Sequence, residues 1–435
     1  MKLKLNSNSK KSIMHITPHL GGGVGTVLLD YLEYVKNDNN FNHSVYCLDY
    51  ANDNAKNKSK NIGFKLEDNM QFKIKELIES IELYDIILIH FWNHPLLYNF
   101  LIRNELPKCR IVMWSHISGL YPPNVFTNKI LNYPDKFIFT TPMSFNAKEV
   151  KNNNNSSYIY IYIYIYIWST SNLNKWYNLE RINTTDNFNV LYVGTVDFVK
   201  MHPNFLEICD KIKIPNIKFI VLGGPNNLIL ENKAKQMGIA HKFNFVGKTS
   251  DVESYIKISD VFGYPLNRNH FGTCDQSLQE AMSSGLVPVV LDNPMEKYMV
   301  KSNCGIICSN ENEYINAIEE LYKDKKLLNI LSRNTKEYAK KEFSIEKMSL
   351  EWQKVFNEII NIEKTKKNWN INDKNNLKAI DIFFESIGEY KNLFNLDNEL
   401  LKEELNKPNW LSYSKGTPKQ YDSFLHDGSL DRFIL

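Results

Sequence analysis

The sequence predicts an α/β protein built from two doubly wound, Rossmann-like domains in series, followed by a small C-terminal helical appendage. Three observations predict it. Short apolar runs alternate with crossover-length stretches from residue 12 to residue 140. A second alternation of the same kind begins at Asn189. Between Phe271 and Val290 a Gly-containing loop enters a short helix, which a Gly ends before an apolar strand.

In the first series, residues 12–16 read as a strand, and the run Gly21-Gly22-Gly23-Val24-Gly25 turns into an apolar-periodic helix through Tyr34. Residues 44–48, 86–90, 110–114 and 137–140 are further strands, the last three buried and parallel. Residues 152–157 are polar and read as a loop. The Tyr-Ile alternation of 158–168 has the period of a strand, but both of its faces are apolar. Such a strand needs cover on both sides, and its codons also permit a simple-sequence expansion.

The second series has strands at 190–194, 218–222, 243–247, 261–264 and 287–291, with helices at 228–237 and 251–258 among the intervening segments. Open α/β sheets place ligands at the carboxyl ends of their strands, so two in series imply a cleft between them. Residues 343–362 form a long helix, 363–376 a Lys- and Asn-rich linker, and the last sixty or so residues recover helical apolar spacing. The expected domains are 1–170, 171–342, a crossing helix at 343–363, and linker plus appendage at 364–435.

A chain of 435 residues is long enough for two cores. Its net charge of +3, with Lys and Glu interspersed, argues against a nucleic-acid partner. The six cysteines are scattered, and Cys304 with Cys308 lacks the second pair that a zinc site needs. Free thiols fit a reducing cytoplasm. The opening residues lack a signal-peptide core, and no run reaches the roughly 18–20 apolar residues of a membrane helix. The expected location is the cytoplasm, with the inner membrane surface as a possible peripheral place of work.

The chemistry concentrates at the 271–290 segment. A loop entering a helix offers backbone N–H groups and the positive end of the helix dipole, here at Gln276, Ser277 and Leu278, which suits a phosphate. Glu280, one turn further in, suits sugar hydroxyls. Diphosphate plus ribose means a nucleotide. Gly22 and Gly23 lie in a loop that can cradle a phosphate or serve only as a tight turn. It is not a dinucleotide fingerprint, because Thr26 or Leu28 stands where the last Gly belongs, and no Walker lysine follows. His116 and His90 end strands, where a histidine is either structural or catalytic. Lys200, six residues beyond Gly194, can reach a diphosphate or can be an ordinary surface lysine.

Taken together, Gly194 with Lys200, the loop at Gly21–Gly25, and the run from Ser277 to Val290 resemble the GT-B glycosyltransferases of family 4. The resemblance spans about residues 12–362 and is most specific over 278–290. It implies two Rossmann-like domains facing across a cleft, and a retaining, metal-independent enzyme using a nucleotide sugar. Of the family's two loop-helix glutamates, the second matches Glu280 and binds ribose, whereas the first falls on Gly272, with Asp275 as a substitute. The family's loop lysine matches Lys200, and Thr195 stands where an arginine is common. The implied catalytic residues are His116, Lys200 and Asp275. Those implied to bind the donor are Gly22, Gly23, Thr195, Gln276, Ser277, Leu278 and Glu280. No metal or other cofactor is expected. The donor is a nucleotide diphosphate sugar, and the acceptor a glycan or lipid-linked glycan of surface polysaccharide synthesis. The alternatives are a catalytically impaired sugar-nucleotide-binding relative, or another GT-B enzyme such as a sugar-nucleotide epimerase or a phosphorylase.

Overall fold

A computed structural model describes residues 10–156, 165–182, 186–270, 272–411 and 416–434. They form two compact units, one from Met1–Ser171 with Met348–Leu435, the other from Asn172–Lys347.

The first unit holds a parallel seven-stranded sheet in the order Ile165–Tyr166, Lys136–Phe139, Ile111–Ser115, Ile86–Phe91, Lys11–Thr17, Phe41–Cys47, Lys65–Glu67. The chain starts at Lys11–Thr17, adds two strands on one side, then crosses to Ile86–Phe91 on the other. That reversal is the topological switch point of a doubly wound sheet. Every residue of Ile86–Phe91 and Ile111–Ser115 is buried, as parallel strands covered on both faces must be.

Helix Gly22–Tyr34 begins inside the glycine run rather than after it, so the expected loop is the first turn of the helix. Gly22 has φ +66, a left-handed conformation that side chains disfavour. The polar run expected to be a loop is instead the end of helix Lys148–Ser156, anchored by the fully buried Val150. Of the Tyr-Ile tract, residues 158–164 lie outside the described residues, and Ile165–Tyr166 add an edge strand beside Ile138 and Phe139.

The C-terminal segment is neither linker nor separate appendage. Thr365–Lys367 pairs antiparallel with Leu106–Cys109, and Arg103 donates to the carbonyls of Lys374 and Leu377. Trp369 packs edge-on to Tyr98 and at a tilt on Tyr133, and Lys367 meets Asp135 at 2.6 Å. Ile382, Phe383, Phe394, Trp410 and Tyr421 join one core with Leu97, Leu101 and Phe137. The apolar spacing of this segment therefore completes the first unit. Helix Ile345–Ile359 contributes Trp352, edge-on to Trp114, and Phe356, edge-on to Phe41.

The second unit repeats the plan with six parallel strands, Phe243–Gly247, Ile217–Leu222, Phe188–Val193, Val261–Tyr264, Val287–Leu291 and Ile306–Cys308. Its switch point lies between Phe188–Val193 and Val261–Tyr264. Helix Gln276–Ser283 follows the second of these, and Gly285, at φ +83, turns the chain into Val287–Leu291.

Candidate active site

At the carboxyl ends of the two switch-point strands, the second unit brings Lys200 and Asp275 together. Lys200 Nζ lies 2.9 Å from Asp275 Oδ2, with the side chains only 10% and 11% exposed. The Lys200 loop is pinned from both sides. Its Asp197 accepts the Lys200 and Met201 N–H groups, and the Lys200 carbonyl accepts from Asn267 N at 2.8 Å. Tyr264, the last residue of its strand, donates to the same Asp275 oxygen at 2.8 Å, and its hydroxyl is 3.3 Å from Ser277 Oγ.

Asp275 stands at the N-cap of helix Gln276–Ser283 but makes no side-chain capping bond. Its carboxylate goes to Lys200 and Tyr264, and the first-turn residues Gln276, Ser277 and Leu278 precede the first intrahelical bond, Gln279 N to Asp275 O. The Leu278 side chain is fully buried core, so only its backbone faces that position. Glu280 is half-buried in the second turn. Burial pulls the Lys200 ammonium down, but Asp275, with Tyr192 and Glu296, more than offsets it, and the net shift is upward. Burial pushes the Asp275 carboxyl up, whereas Lys200 and His270 pull it below the usual carboxylate value. The pair is therefore ionised at neutral pH.

A second buried cluster adjoins, which the sequence reading missed. His270 Nε2 lies 3.1 Å from Glu296 Oε2, and Asn293 donates to Glu296 Oε1 at 3.0 Å. Gly272, standing where the resemblance expects a glutamate, donates its N–H to His270 Nδ1. A Cβ on Gly272 would lie 2.8 Å from His270 Nδ1 and 3.0 Å from Asp275 Oδ1, so the space for a side chain is already filled. The only signal for these residues was position: Tyr264 ends a strand, and Asn293 follows another. His270 and Glu296 lie 26 residues apart and share no spacing motif.

Thr195 is half-buried, and its carbonyl accepts from Tyr192 Oη at 2.8 Å. The remaining expected residues belong to the first unit. Gly22 and Gly23 are exposed at the start of their helix, and half-buried His116 sits just beyond strand Ile111–Ser115, its Nε2 3.1 Å from His90 Nδ1. Among the described residues, no three His, Cys, Asp or Glu side chains are arranged to hold a metal ion. No described helix is long and apolar enough to cross a membrane.

Residues 177–341 match the family of glycosyl transferases group 1. The chain is 24% identical over 305 residues to an uncharacterized glycosyltransferase of Haemophilus influenzae, covering 65% of this chain and 78% of that one. Its fold is similar to that of a glycosyltransferase from Rickettsia africae, with TM-score 0.65 and 12% identity over 81% of this chain and 99% of that one. It is also similar to Anabaena HepE crystallised with UDP, with TM-score 0.63 and 13% identity over 80% and 100% of the two chains. Residues 177–341 of the second unit thus match a group 1 glycosyl transferase domain, and the two doubly wound sheets give the chain the GT-B fold of the structures it resembles.

Proposed function

We propose that the chain moves a hexose-type sugar from a nucleoside diphosphate donor to a glycan or lipid-linked glycan, with retention of anomeric configuration and without a metal ion. The observation that carries this reading is the buried Lys200–Asp275 pair beside the first turn of Gln276–Ser283, at the switch point of the matched domain. As the donor bond breaks, negative charge grows on the departing diphosphate. A lysine held charged, together with oriented amides and the helix dipole, stabilises that charge without reorganising. Asp275 and Tyr264 hold the ammonium in place, and Glu280 accepts from the ribose hydroxyls. The acceptor hydroxyl attacks the face that the diphosphate leaves. HepE is seen with UDP and with UDP-glucose, which favours a uridine donor here. The similar fold of WaaB, a lipopolysaccharide outer core galactosyltransferase, favours a surface-glycan acceptor. The site of action is cytoplasmic, peripheral to the membrane.

One observation favours the second reading, a relative that binds the donor without turning it over: Gly272 leaves no room for the donor-sugar glutamate. Transfer from a panel of nucleotide sugars, run beside thermal-shift binding, separates the two. Binding with transfer supports the enzyme, and binding without transfer the impaired relative. Transfer is expected to survive EDTA. Activity abolished by EDTA and restored by Mg²⁺ or Mn²⁺ would show that a metal, not Lys200 and the helix, meets the diphosphate.

Glu280→Ala is expected to weaken nucleotide binding roughly ten- to a hundredfold, since a hydrogen bond to a charged acceptor contributes about 1.5–3 kcal/mol. Calorimetric titration with UDP checks it, and an unchanged affinity removes Glu280 from the site.

A further inference from the structure

We infer that His43, His15 and His90 form with His116 a hydrogen-bonded row of imidazoles across the first sheet, and that this row holds His116 as a neutral ring with its proton on Nδ1. The four residues belong to four adjacent parallel strands or their ends. His43 pairs in register with Ile13, Leu88 with His15, and His90 with Trp114. Each histidine thus lies two residues beyond the register partner of the previous one, so all four project from the same face. Their nitrogens meet in sequence: His43 Nδ1 to His15 Nε2 at 2.9 Å, His15 Nδ1 to His90 Nε2 at 3.1 Å, and His90 Nδ1 to His116 Nε2 at 3.1 Å.

Burial holds the inner rings neutral. It pushes His15 well below the ordinary histidine value and His90 down to about 3. It also lowers His43 to about 4, against the upward pull of Asp38, the charged group acting on that end of the row. Tyr31 and Phe356 pack on His43, Trp114 on His90, and Trp114 and Trp92 on His116. A neutral imidazole has one N–H and one lone pair. All three hydrogen bonds must therefore run the same way.

The far end of the row decides which way. Among the described residues, His43 Nε2 is buried with no hydrogen-bond partner. A buried N–H without an acceptor is the costlier orphan, so Nε2 carries the lone pair and Nδ1–H donates into the row. Following the donors along the row, His90 Nδ1–H donates to His116 Nε2, and the His116 proton is left on Nδ1. Hydrogen bonds in a chain polarise one another, by about 10–30% per bond, which makes that last N–H a better donor. Protonating His116 on Nε2 would set two N–H groups face to face. His90, His15 and His43 are thus positioning residues that commit His116 to donating, to a sugar hydroxyl or a phosphate oxygen. That final choice of oxygen rests on the proposed function, but the tautomer does not.

Imidazole ¹⁵N NMR of the full-length, histidine-labelled protein tests the row without any activity measurement, with His116 assigned by the signal lost in His116→Gln. The expected result is a protonated Nδ1 and an unprotonated, hydrogen-bonded Nε2 in the wild type. His90→Leu should let His116 revert to a proton mainly on Nε2. A wild-type proton on Nε2 overturns the inference, and so does a His116 tautomer that His90→Leu leaves unchanged. Should His90→Leu not fold, the wild-type spectrum decides alone. The Nδ1–H tautomer in a protein without transferase activity would sink the proposed function and leave the row standing.

Discussion

Lys200→Ala is expected to lower the stability of the second unit by about 3–5 kcal/mol, the usual cost of breaking a buried ion pair from one side. The Asp275 carboxylate would remain in a buried site, with Tyr264 and the nearby His270 left to compensate it. The pH dependence follows from the directions of the two shifts. Asp275 titrates below its ordinary value, so its contribution is present above about pH 4 and fades as pH falls through the folded value. Lys200 titrates above its ordinary value, so its contribution is complete below about pH 10 and fades as pH rises through the folded value. The deficit of Lys200→Ala should therefore narrow in acid, where Asp275 can protonate. Adding Asp275→Asn should recover most of the stability, because neither charge is then stranded.

Turnover should not recover with it. Removing one preorganised electrostatic group typically lowers kcat by about 10²–10³-fold. Donor affinity should fall less, because the diphosphate charge grows toward the transition state. Urea unfolding from pH 3 to pH 10, set beside transfer kinetics, measures both effects. Wild-type stability in Lys200→Ala would mean that the pair is solvated, and wild-type rates would place the diphosphate elsewhere.

Trp369→Ala is expected to lower the stability of the first unit by about 3–5 kcal/mol, as for other large-to-small changes at a buried aromatic. Trp369 is 3% exposed, packs against the rings of Tyr98 and Tyr133, and donates from Nε1 to Glu385 Oε2 at 2.7 Å. Glu385 in turn receives Lys129 at 2.8 Å, so the indole is tied through Glu385 to helix Asn128–Asn132. Trp369→Phe should retain much of the packing and lose mainly the hydrogen bond. Thermal unfolding and limited proteolysis beyond residue 364 report the result. A Trp369→Ala protein with unchanged melting and an equally protected C-terminus would restore the picture of a loose linker.

The parts of this protein legible in the sequence are those written in contiguous residues. The apolar runs at 86–90, 110–114 and 137–140 marked buried parallel strands because burial on both faces leaves little polar alternation to confuse them. The loop, helix and closing Gly285 of the 271–290 segment were legible for the same reason, whereas the pairing of Lys200 with Asp275 was decided in three dimensions. The short edge strands Lys65–Glu67 and Ile306–Cys308 were not, since three residues carry no period and exist by pairing with a longer neighbour. The linker reading failed at Trp369, where Lys and Asn dominate the composition around a single buried indole. The partnership of His270 with Glu296 and the row from His43 to His116 were decided only in three dimensions. Strand register brought histidines from four separate stretches of chain to one face, two residues apart at each step. A lone histidine in the sequence carries no trace of that, because register is set by the packing of whole strands and not by the residue itself.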